Sequence, residues 1–247
     1  MPQQGYGYPA PPPQGGNGKR TGVIIGAVVV VLALAGGGLL LAHKSSGGGS
    51  LADNGKTYRL TTPDKVASDY TKDPDMGDED SFDDSDLGKI KALGVTDPTQ
   101  VTAGYAKGSS LITATDLLEF SGVYGKVKDP GKVVDGMFAL LAAGTEADKK
   151  DGTTITTSGS PQLVEPAGME SDAVIKCQQV TETGDSDGHK LTIKTTVCVW
   201  ADYSTVAYVL PVDVPAALAG TGSAPSIADA GDLTAKVRND VEVQVGS

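Results

Sequence analysis

Histidine is almost absent. The 247 residues hold two, His43 and His189, and neither stands in a setting that suits general base chemistry. A Ser-His-Asp site needs a histidine held in a cleft by a third group. His189 has Asp185, Ser186 and Asp187 nearby, but all belong to one glycine-flanked turn. The G-x-S-x-G elbow, the H-E-x-x-H helix and the P-loop are missing as well. Aromatics are scarce, with one tryptophan, three phenylalanines and eight tyrosines. That leaves little for a base-stacking platform or a sugar-binding surface. Basic residues are outnumbered by 31 acids to 20, and the formal net charge is −11. An acidic surface repels phosphate backbones, so nucleic acid is excluded as a partner.

Charge is also missing locally. Residues 21–42, TGVIIGAVVVVLALAGGGLLLA, carry none. As a helix they would reach about 33 Å, against a hydrocarbon core of about 30 Å. The run is longer than a signal-peptide core, eighteen uncharged residues precede its basic flank, and no A-x-A-like site follows. The reading is an uncleaved transmembrane helix. Lys19 and Arg20 flank one end and Lys44 the other, which keeps the short tail in the cytoplasm and places the rest outside. Gly22 and Gly26 form a G-x-x-x-G, the spacing that lets two helices pack closely. A weak homodimer through that helix is one reading, and the ordinary glycine content of membrane helices is the other.

What remains divides into three. Residues 1–20 are rich in Pro, Gly, Gln and Tyr, with no aliphatic run to bury, and read as a disordered cytoplasmic tail. Residues 43–55, including SSGGGS, read as a flexible linker. Residues 56–247 hold every acid but Asp53 and are long enough for one core, an extracytoplasmic domain.

Within that domain, strands are expected at 57–60, 101–106, 113–123, 162–164, 173–181, 190–200 and 205–210. Thr62-Pro63 predicts a short helix to about Tyr70, and Leu87–Leu93 a helical turn stopped by Gly94. Asp129-Pro130 starts a third helix, with the apolar stripe Val133, Val134, Met137, Phe138 and Leu141, ended by Gly144. Ser226 caps a last helix over 226–241. The expected fold class is therefore α+β: a disordered tail, one transmembrane helix, then a mainly antiparallel sheet with three to four packed helices.

Two sets of residues are candidate sites. Cys177 and Cys198 are the only cysteines, and the turn Gly184–Gly188 lies midway between them. A hairpin centred there sets Cys177 opposite Cys198 and Ile175 opposite Trp200, close enough for a disulfide. A disulfide suits an extracytoplasmic compartment. A redox pair or two free thiols are the alternatives, while two thiols without a nearby histidine make a poor zinc site. Trp200 is expected to pack beside the pair. The second set is the acid run over 73–86, in which Asp78, Asp80, Asp83 and Asp84 are weak Ca²⁺ candidates. It lacks the ligand pattern of an EF-hand, so a solvated surface loop outside the core is expected, carrying no metal. No residue pattern calls for a catalytic role or for a cofactor.

The PQQGYGYPAPPPQGG tail, the Val/Ala/Gly-rich anchor, the GGGS linker and Cys198-Val-Trp200-Ala-Asp202 resemble actinobacterial, Streptomyces-type, single-pass membrane proteins. The resemblance implies an extracytoplasmic α+β domain and no activity. The expected function is a membrane-anchored, non-catalytic domain that binds a protein or another envelope ligand. A cell-envelope hydrolase working through carboxylates alone is the alternative.

Overall fold

In the computed structural model, residues 51–246 are described, except 75, 77–81, 83, 109–112, 149–153, 168, 170–171 and 187–188. The elements run in the order β1 (Tyr58–Leu60), β2 (Lys65–Val66), β3 (Tyr70–Lys72), α1 (Asp84–Ala92), β4 (Val95–Lys107), β5 (Asp116–Val127), α2 (Pro130–Asp148), β6 (Thr154–Val164), β7 (Val174–Ser186), β8 (His189–Ala201), β9 (Thr205–Asp213), α3 (Val214–Ala219), α4 (Ile227–Val241) and β10 (Glu242–Gln244). Eight strands form one antiparallel sheet in the order β2-β3-β4-β5-β9-β8-β7-β6. β1 and β10 pair separately as a small antiparallel ribbon.

The sheet separates two apolar layers. On one face α1, α2 and α3 bury Ile90, Val133, Val134, Met137 and Leu141 against Val123, Val197, Val199 and Leu210. On the other, α4 and the β1–β10 ribbon bury Ala230, Val237, Val241 and Leu60 against Tyr105, Phe120, Trp200 and Val209. Central strands covered on both faces read as continuous apolar runs, and Thr205–Leu210, with every residue buried, is of that kind.

The expected fold class needs correction. The described chain is a mainly antiparallel sheet with four helices, and no helix among the described residues is long and apolar enough to cross a membrane. The longest, α2, has one buried apolar side and turns Lys132 and Leu140 outward or half outward. The segment 21–42, with Gly22 and Gly26, lies outside the described residues, as do the tail and most of the linker.

Other local differences have plain causes. No helix follows Thr62-Pro63; residues 65–72 form the β2–β3 hairpin instead. Ala67 and Ser68 take positive φ angles of 48° and 66°, and Asp240 Oδ2 accepts the Ala67 N–H at 2.7 Å, so a tertiary contact holds a turn that the Thr-Pro signal does not announce. Gly144 lies inside α2, which continues to Asp148 because Glu146 and Ala147 favour helix. α3 is an unexpected helix; its signals are Asp213, whose carboxylate accepts the Ala216 N–H, Pro215 in the first turn and Gly220 in the left-handed cap.

The acid run is also corrected. Met76 and Phe82 are buried in the helix-covered layer, and Asp84 and Asp86 open α1. Phe82 meets Tyr208 edge-on at 6.1 Å between ring centres. Opposite Met76, Gly104 has no side chain, and a Cβ there would stand 2.2 Å from Met76 Cβ. Residues 75, 77–81 and 83 of the run lie outside the described residues, and of the rest Met76 and Phe82 belong to the core.

Candidate functional site

The hairpin register is the expected one. Cys177 pairs with Cys198 and Ile175 with Trp200, and the cysteines form a disulfide with Cα atoms 4.1 Å apart. Both are fully buried under α4. Trp200 shares their face and stacks on Phe120 at 5.9 Å with the rings 9° from parallel. Val180, Ile193, Val197 and Val199 occupy the opposite face, with Val174 and Leu191 packed against them, as period-two alternation requires.

Beside Trp200, among the described residues, lies a cluster of buried charge. Arg238, on the buried side of α4, is ringed by three acids. Its Nη1 donates to Asp172 Oδ1 at 2.9 Å and its Nη2 to Asp202 Oδ2 at 3.2 Å. Its Nε lies 3.0 Å from Glu242 Oε2, an ion-pair contact without hydrogen-bond alignment. Asp202 closes the β8–β9 turn by accepting from the N–H groups of Ser204 at 2.6 Å and Thr205 at 2.7 Å and from both their hydroxyls. Glu242 Oε1 accepts from Trp200 Nε1 at 3.0 Å and from Thr205 Oγ1 at 2.6 Å. Thr205 has one proton for two carboxylates. Burial pushes Glu242 up to about 7, Arg238 opposes that shift, and Asp202 adds to it. The three acids hold the guanidinium above its ordinary value against its desolvation.

A second buried acid sits in the other layer. Glu119 on β5 lies between Gly104 and Leu210 in the register, and its Oε1 accepts the Tyr208 hydroxyl. Burial raises it to about 7, and the Tyr208 hydrogen bond offsets part of that. Its Oε2 has no hydrogen-bond partner among the described residues.

The weak cation candidates are not brought together. Asp78, Asp80 and Asp83 lie outside the described residues, and Asp84 is exposed at the start of α1. Among the described residues no group of three His, Cys, Asp or Glu is placed to hold a metal. His189 lies in β8 opposite Ser186. Reasoning from sequence gave no site role to Arg238, Asp172, Asp202, Glu242 or Glu119. For three of them a signal exists: Arg238 and Glu242 are four apart at a helix end, and Asp202-x-Ser204-Thr205 is a side-chain-closed turn. Nothing local marks Asp172 or Glu119. The chain matches no family model and no curated protein.

Proposed function

We propose that this is a non-catalytic binding domain that works outside the cytoplasm, with a protein or another envelope component as its ligand. The observation that carries the location is the Cys177–Cys198 disulfide, buried between two central strands. Such a bridge forms and persists in oxidising compartments. The tail and linker resemblance to actinobacterial envelope proteins points the same way. The acidic balance of the chain suits a cationic or neutral ligand and not nucleic acid.

The hydrolase alternative fares less well on geometry. The two acids with strongly raised proton affinity, Glu119 and Glu242, lie against opposite faces of one sheet. Carboxylates that cleave a glycosidic bond flank it from about 5 to 9.5 Å apart. Glu242, Asp202 and Asp172 do converge, but on Arg238 and the turn that they hold, which is a structural assignment.

Crosslinking in intact cells with a reagent that does not enter the cytoplasm tests this reading. The chain should crosslink to a partner, and Glu119→Gln should capture the same one. A chain that is present but never crosslinks contradicts the location. A turnover activity lost with Glu119→Gln contradicts the non-catalytic role.

A further inference from the structure

The first ten described residues, 51–60, lie across the domain as a strap, and their polar contacts converge on the Arg238 cluster. Asn54 Nδ2 donates to Asp172 Oδ2 at 3.2 Å, the Tyr58 N–H to Ser204 Oγ at 2.9 Å, and Tyr203 Oη to the Leu51 carbonyl at 2.7 Å. The strap continues into β1, whose partner β10 begins with Glu242, opposite Leu60. Thr57 accepts the Val245 N–H at 2.8 Å. One acid of the cluster is therefore also the first residue of the strand that holds the strap.

We propose that the cluster is a proton-operated latch: the strap and β10 are held while Glu242 carries a proton and loosen when it loses it. The groups facing Glu242 come from each element around it. They are Arg238 from α4, Trp200 from β8, Asp202 from the β8–β9 turn, Thr205 from β9 and Tyr58 from the strap, while Asp172, before β7, reaches the site through Arg238. With Glu242 neutral, two carboxylates face one guanidinium, and the Thr205 hydroxyl is free to serve Asp202. With Glu242 ionised, three carboxylates share one cation, and Thr205 satisfies only one of its two acceptors. A buried, partly compensated charge is very unfavourable. Asp202 is fixed by three donors of its own turn besides the shared Thr205 hydroxyl, whereas Glu242 opens a three-residue strand whose one sheet partner is β1 and is otherwise tied by its N–H to the Arg238 carbonyl and by Trp200 Nε1. Moving the ribbon is the least costly relief. The high proton affinity of Glu242 puts the change near neutral pH.

Hydrogen exchange on the full chain at pH 6 and pH 8, corrected for the intrinsic dependence of exchange on pH, reads this directly. Protection of the Tyr58–Leu60 and Glu242–Gln244 amides is expected to fall by about tenfold between the two, the range one ionisation near pH 7 gives. Central β8 amides, which open only with the whole domain, should instead report the separate loss of global stability that Glu119 contributes. Glu242→Gln should abolish the fall, and Glu119→Gln, in the other layer, should leave it intact. Equal protection at the two pH values in the natural chain overturns the latch, whatever the variants do. So does a fall that persists in Glu242→Gln or vanishes in Glu119→Gln.

Discussion

Replacing Glu119 with glutamine isolates the cost of one buried acid. The residue is 6% exposed, and among the described residues only the Tyr208 hydroxyl opposes the burial of its charge. The affinity for a proton is raised from 4.5 to about 7 in the folded chain. The sign follows from linkage. Below about pH 4.5 the group is protonated in both states and folding carries no penalty from it. Between there and pH 7 the folded chain keeps a proton that the unfolded chain has lost, so stability falls as pH rises. Above pH 7 the penalty is complete, at roughly 3 kcal/mol for a shift of this size. Glutamine cannot ionise and still offers an oxygen to Tyr208. Urea denaturation at pH 5 and pH 8 should show the natural chain losing roughly 3 kcal/mol more between those pH values than the variant does. For a domain near this size that is about 6–12 °C in melting temperature. An identical pH dependence in the two proteins would refute the account of Glu119.

Four further outcomes follow from the packing. Mutating both Cys177 and Cys198 to alanine should cost roughly 3 kcal/mol by urea denaturation, since the bridge closes a loop with a sequence separation of 21; an unchanged midpoint would count against its structural role. Phe82→Ala should cost about 3 kcal/mol, because the ring is buried against Tyr208; a change near zero would return this segment to the surface. Gly104→Ala should displace Met76, seen as selective loss of hydrogen-exchange protection around Asp73 and Gly104, and unaltered protection there would show that the contact is not close. Arg238→Met strands three buried acids and should cost about 3–5 kcal/mol at pH 8, less at pH 5 where Glu242 is neutral; a thermal melt indifferent to pH would argue that the acids are not coupled.

Much of the sheet was legible because alternation is a strong signal in β7 and β8. The turn at 184–188 and the spacing of Cys177 and Cys198 fixed one register, and a one-residue slip would have exchanged the faces of Trp200 and Val199. α4 was legible from Ser226 and its apolar stripe. The β2–β3 hairpin was not, because Ala67 and Ser68 hold positive φ only with Asp240 pinning the turn from α4, 173 residues away in sequence. The acid run misled for a related reason. Charge density argued for a solvated loop, yet two apolar side chains found receptors in Gly104 and Tyr208 that only the folded sheet provides. The Arg238 cluster draws on residues from 172 to 242, and no window of sequence contains it.

The redox state of the two cysteines in the protein taken directly from cells tests the central claim most directly. Acid-quenched, denatured and unreduced protein should take up no thiol reagent at Cys177 or Cys198, and should take up two equivalents after reduction, as a disulfide domain outside the cytoplasm requires. Full labelling of both cysteines before reduction would contradict it.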